Sequence, residues 1–78
     1  MIPEELGKIV FSHRKKSGLT QKQLADLAGV GKTVVFDIEK GKATVQMNSL
    51  LKVLEVLNIT VELKSPVMKQ MELHNEER

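Results

Sequence analysis

Apolar residues recur every three or four positions through most of this chain, the period of helices with one face turned inward. Leu6, Ile9, Val10 and His13 repeat at that spacing and predict a first helix over about residues 3–17. Pro3 suits a first helical turn, and Glu4 and Glu5 suit its positive end. Arg14-Lys15-Lys16 followed by Gly18 form a C-terminal stop. A second helix is predicted over residues 20–28, opened by Thr20-Gln21-Lys22-Gln23. That run is a capping box, in which the Thr20 hydroxyl accepts from the N–H three residues on and Gln23 reaches back. Leu24, Ala25, Leu27 and Ala28 supply its apolar face.

Gly29-Val30-Gly31 breaks the pattern: Gly29 takes a left-handed turn without steric cost, and Val30 plugs the corner. A third helix over residues 32–40 stops at Gly41. At about 100° per residue, Val35 and Ile38 face one way while Thr33, Phe36, Asp37 and Lys40 face the other. A fourth helix covers about residues 47–57, with Leu50, Leu51, Val53, Leu54 and Leu57 apolar and Gln46 or Asn48 near its cap.

After Asn58 the period drops to two. Ile59-Thr60-Val61-Glu62-Leu63 alternates as a half-buried strand does, with Ile59, Val61 and Leu63 on one face. No second strand is visible in the sequence, and one strand cannot satisfy its own backbone groups. The simplest partner is the same strand of a twofold-related copy. The expected fold is therefore mostly α: a helix-turn-helix bundle of four main helices plus one C-terminal strand pairing across a homodimer. Residues 1–64 form the domain, with its dimerisation strand at 59–63, and residues 65–78 a polar, Met-containing tail with a short helix at 67–73.

Composition narrows the function. With 78 residues the chain is one small domain, marginal in stability and a natural candidate for dimerisation. It has no cysteine, which excludes disulfides and zinc–thiolate sites. His13 and His74 are its two histidines, too few to assemble a metal site by spacing; no cofactor is expected. His13 reads as a packing or surface residue, and the Met47, Met68 and Met71 thioethers read as core filler. No apolar run approaches the length of a membrane span, and the acidic start lacks a signal-peptide pattern, so a cytoplasmic protein is expected. No P-loop, GxGxxG or supported Ser-His-acid arrangement occurs, so an enzyme is not expected.

Charge is uneven. The net charge is +2, yet the stretch from Lys8 to Lys42 holds eight Lys/Arg against three acids. A basic half points to a polyanion. With two Phe and neither Trp nor Tyr, stacking platforms for single strands are nearly absent, which favours duplex DNA.

Two short helices joined by a tight Gly-containing turn make a helix-turn-helix, whose second helix enters a major groove. Leu19-Thr20-Gln21-Lys22-Gln23-Leu24-Ala25-Asp26-Leu27-Ala28-Gly29-Val30, followed by Val35-Phe36-Asp37-Ile38-Glu39-Lys40-Gly41, resembles the XRE/lambda-repressor-type helix-turn-helix family. The segment from Leu50 to Leu63 is similar to that of the HipB-type antitoxins, whose fifth helix is replaced by a strand pairing across the dimer. The resemblance implies a dimeric repressor of its own toxin–antitoxin operon that also contacts a HipA-like kinase toxin. A restriction–modification controller or a phage-type repressor is the alternative.

Carried over by residue, the resemblance implies phosphate contacts from Gln21, Lys40 and Lys42, base contacts from Lys32, Thr33 and Phe36, and an internal ion pair between Arg14 and Glu39. Lys22 is also assigned to phosphate, with the plain surface role it shares with Lys15 and Lys16 as the alternative. Two positions depart from the family pattern. Gly31 replaces a common polar residue and leaves at most a backbone contact. Phe36 replaces a small polar one and turns readout there apolar, toward a thymine methyl. For Lys32 and Thr33 the plain alternative is a solvated helix start, for Phe36 a cap on the core or an interface. Asp37 reads as a solvated acid that repels phosphate, its one use in a groove being to accept from a cytosine amino group.

Overall fold

The structure, a computed structural model, describes residues 2–67. Four helices form: α1 Pro3–Lys16, α2 Gln21–Ala28, α3 Lys32–Glu39 and α4 Met47–Val56. Their ends follow local chemistry. Pro3 opens α1, Glu4 and Glu5 sit at its positive end, and His13 to Lys16 crowd its negative one. Before α2 the Gln23 N–H donates to Thr20 Oγ1 at 3.0 Å, and the Thr20 N–H donates to Gln23 Oε1 at 2.8 Å. After α2, Gly29 turns left-handed at φ 74°, and the Val30 N–H returns to the Ala25 carbonyl at 3.0 Å. α4 ends the same way: Asn58 takes φ 60° and the Ile59 N–H returns to the Leu54 carbonyl at 2.9 Å.

α2 packs on α3 and α4, and α1 packs chiefly on α3. Val10, Leu24, Ala25, Val35, Ile38, Val53, Leu54 and Leu57 form the buried core, with Leu6, Leu19, Val30, Leu50 and Ile59 among the residues packed against it. The small Ala25, 1 % exposed, lets α2 approach its neighbours closely.

Several apolar residues expected inside lie outside. Ile9, Leu27 and Leu51 are exposed, each about 110° around its helix from the centre of the buried stripe. On α1 the inward face is Leu6, Gly7, Val10 and Arg14, so Gly7 and Arg14 take the places assigned to Ile9 and His13. His13 is exposed, its Nδ1 lying 2.8 Å from the Ile9 carbonyl. Met47 is no core filler: it stands at the open start of α4, 67 % exposed, on the rim of an apolar groove with Ile2, Leu6 and Leu50.

Among the described residues no strand forms. Ile59 packs on the core, whereas Val61 and Leu63 are exposed. The physical reason is simple, since a lone extended segment has no ladder partner within one chain. The short helix expected at 67–73, with Met68, Met71 and His74, lies outside the described residues apart from its first residue. Among the described residues no helix is long and apolar enough to cross a membrane.

Candidate nucleic-acid interface

The interface is built on the turn between α2 and α3. Val35 and Ile38, 0 % and 3 % exposed, anchor α3 to the core. With those two fixed inward, helical geometry turns Lys32, Thr33, Phe36 and Lys40 outward, and all four are exposed. Phe36 keeps 45 % of its surface open, and the Lys40 ammonium lies 5.6 Å from its ring centroid, a cation–π distance. Lys32 and Thr33 open α3 beyond Gly31, which caps nothing by side chain. This face thus offers an ammonium, a hydroxyl and an aromatic edge side by side, the groups that read donors, acceptors and methyls on base edges.

The start of α2 offers donors of another kind. Its first two N–H groups, on Gln21 and Lys22, have no intrahelical partner because of where they stand in the helix. Gln21 and Lys22 help line an open cleft together with Arg14, Lys15, Gly18, Leu19, Thr20 and Lys32. No acid lines it, and a helix start with cations around it suits a phosphate. Lys15 belongs to this cleft, a place that its sequence position did not single out; the signal was a cation at the end of one helix just before the start of the next.

Beneath the cleft lies a buried polar cluster. Arg14 Nε donates to Glu39 Oε2 at 2.6 Å and Nη2 to Oε1 at 3.0 Å. Both side chains are nearly buried, at 9 % and 6 % exposure. Hydrogen bonding to Glu39 holds the Arg14 guanidinium above its already high ordinary pKa, against the opposing effect of burial. The third Arg14 nitrogen donates to the Leu19 carbonyl at 2.9 Å. Gln21 joins from α2, its Nε2 donating to Glu39 Oε1 at 3.0 Å. That last bond spans 18 residues, and no local spacing announces it.

The other cations are less free. Lys22 pairs with Asp26 at 3.1 Å and Lys42 with Asp37 at 3.7 Å. The Lys22–Asp26 pair is exposed on both sides, and such pairs are weak and exchange readily for another anion. Asp37 is half-buried rather than fully solvated, and its carboxylate pairs with Lys42. Among the described residues no cluster of His, Cys, Asp or Glu could hold a metal ion.

Comparison with known proteins agrees with this geometry. A helix-turn-helix family model matches residues 12–64. An uncharacterized HTH-type transcriptional regulator, y4mF, of Sinorhizobium fredii is 38 % identical over 64 residues, covering 82 % of this chain and 84 % of that protein. The control protein C.SmaI of Serratia marcescens is 32 % identical over 60 residues, 77 % of this chain and 71 % of that one. The fold is shared with a chain of the solved HipA-HipB-O2-O3 complex, at a TM-score of 0.76 and 21 % identity over 85 % of this chain and 93 % of that one. The chain belongs to the XRE-type helix-turn-helix family of transcription regulators.

Proposed function

We propose that this chain is a sequence-specific repressor that binds duplex DNA as a homodimer. The observation that carries the reading is the division of α3, with Val35 and Ile38 buried and Lys32, Thr33 and Phe36 exposed beside a cationic cleft. Lys32, Thr33 and Phe36 meet base edges in the major groove, Phe36 against a C5 methyl. Gln21, Lys22, Lys40 and Lys42 hold phosphates, which set register without reading sequence. Arg14 and Glu39 keep the helices in place.

The dimer seam is the segment Ile59, Val61, Leu63. Exposed Val61 and Leu63, alternating in a chain segment without a ladder partner, support pairing with the same segment of a second copy. Twofold symmetry then sets two α3 helices about 34 Å apart, one turn of duplex, on a pseudo-palindrome. Residues 1–64 act as the binding domain and 65–78 as a tail available to a partner.

The finer reading is an antitoxin that represses its own operon and binds a HipA-like kinase toxin. The fold shared with HipB, seen in a solved structure together with HipA, supports it. Likeness to the control protein C.SmaI supports the second reading, a controller of a restriction–modification pair. A footprint on the DNA upstream of the chain's own gene tests repression; protection of a paired, inverted sequence is expected, and uniform cleavage contradicts it. Co-purification with the product of the adjacent reading frame separates the two roles: a kinase marks the antitoxin, a nuclease or methyltransferase gene the controller.

A further inference from the structure

We infer that Glu39 is a positioning residue for the phosphate-facing amide of Gln21, fixing which amide hydrogen that side chain offers to the duplex. The inference rests on the duplex-binding reading above. An ionised carboxylate only accepts hydrogen bonds, so the Gln21 nitrogen, 3.0 Å from Glu39 Oε1, must face it and the Gln21 oxygen must turn away. One of the two hydrogens on Nε2 is taken by Glu39. Planarity of the amide then fixes the direction of the other, and Gln21 itself lines the cleft at the α2 start. A side chain held this way before the duplex arrives loses little rotamer freedom on binding.

Arg14 makes the arrangement compatible with a phosphate. A bare carboxylate beneath the cleft would repel the anion, but two hydrogen bonds from one guanidinium cancel its charge. The bond from Arg14 to the Leu19 carbonyl ties the same cluster to the lead-in of α2. Glu39 is the last residue of α3, so one carboxylate fixes the phosphate-holding amide relative to the helix that reads the bases.

A duplex selected by the chain itself from a randomised pool provides the probe, with affinity measured by fluorescence anisotropy across a salt series. Gln21→Ala is compared in the native background and in Arg14→Met/Glu39→Leu, where an apolar pair replaces the ion pair and strands no charge. In the native background the loss expected is about tenfold to hundredfold, the worth of a hydrogen bond to a charged group. Its salt slope stays unchanged, because a neutral amide releases no counterion. In the apolar background, where the amide is already unanchored, the loss from Gln21→Ala is expected to be smaller by about twofold to tenfold, the ordering cost of one side chain. Equal losses in both backgrounds overturn the inference, as does no loss in the native one while DNA binding persists; absence of any binding by the native chain overturns the duplex reading itself. Should the apolar background fail to fold, side-chain amide order parameters of the native protein decide: Gln21 as ordered as the backbone supports the inference, and Gln21 as mobile as exposed Gln46 overturns it.

Discussion

A methyl group on Gly7 would lie 2.6 Å from the carbonyl oxygen of Ile38 and 2.8 Å from that of Glu39. Backbone of α1 therefore touches backbone of α3 at the end where Glu39 is held. Neither oxygen can step aside without bending α3, so Gly7→Ala forces the two helices apart. The expected cost is about 3 kcal/mol, the upper part of the usual overpacking range. In a domain this size each kcal/mol lowers the melting temperature by roughly 4–8 °C. A thermal melt with an unchanged midpoint contradicts this packing.

The Arg14–Glu39 pair carries a second expectation. Removing one partner alone, as in Arg14→Met, strands a nearly buried carboxylate and costs about 3–5 kcal/mol. Arg14→Met/Glu39→Leu recovers most of that loss, because burying two apolar groups is close to neutral against a buried ion pair. Urea unfolding of the two variants checks it; equal destabilisation by both contradicts it. The raised pKa of Arg14 also fixes a sign. Its contribution is fully present below the unfolded-state value and is lost only as pH rises through the folded one, so it does not titrate near neutrality.

The Gly7 contact also marks where sequence reading ran out, whereas the Arg14–Glu39 pair is the one the family resemblance implies. The capping box at Thr20, the left-handed Gly29 and the two faces of α3 were legible because each depends on residues within one turn of each other. The inward face of α1 was not. Glycine has no apolar side chain to register, yet close approach to α3 selects Gly7; Arg14 turns inward toward a carboxylate 25 residues away, a pairing that comes from the family resemblance and not from helical periodicity. Leu27 and Leu51 were misplaced for a related reason: short helices carry more leucine than their core stripe can cover. The Gln21–Glu39 bond joins residues 18 apart, which only the fold brings together.

The dimer seam is tested by Val61→Lys. Val61 is exposed in the single chain, so the substitution leaves the monomer's core alone. It places a charge on the apolar face of the proposed intermolecular strand. Sedimentation is expected to show a dimer for the native chain and a monomer for the variant at micromolar concentration. A variant that stays dimeric moves the seam elsewhere.

Base reading and phosphate holding separate by their response to sequence. Lys32→Ala and Thr33→Ala are expected to relax preference at individual base pairs, by about 1–3 kcal/mol for a well-placed contact. Lys40→Ala is expected to weaken binding to all duplexes alike and to lower the log–log salt slope by about 0.9. Competition binding against a panel of single-base variants distinguishes the two patterns. Uniform loss from Thr33→Ala removes it from the reading face.

The outward turn of Thr33, Phe36 and Lys40 toward a duplex is tested most directly by equilibrium binding to a selected duplex and to its scrambled counterpart at matched salt. Specific binding at least about 10³-fold tighter than to the scrambled sequence is expected, falling to a small ratio when Lys32 and Thr33 are both replaced by alanine. Equal affinity of the native chain for both duplexes contradicts it.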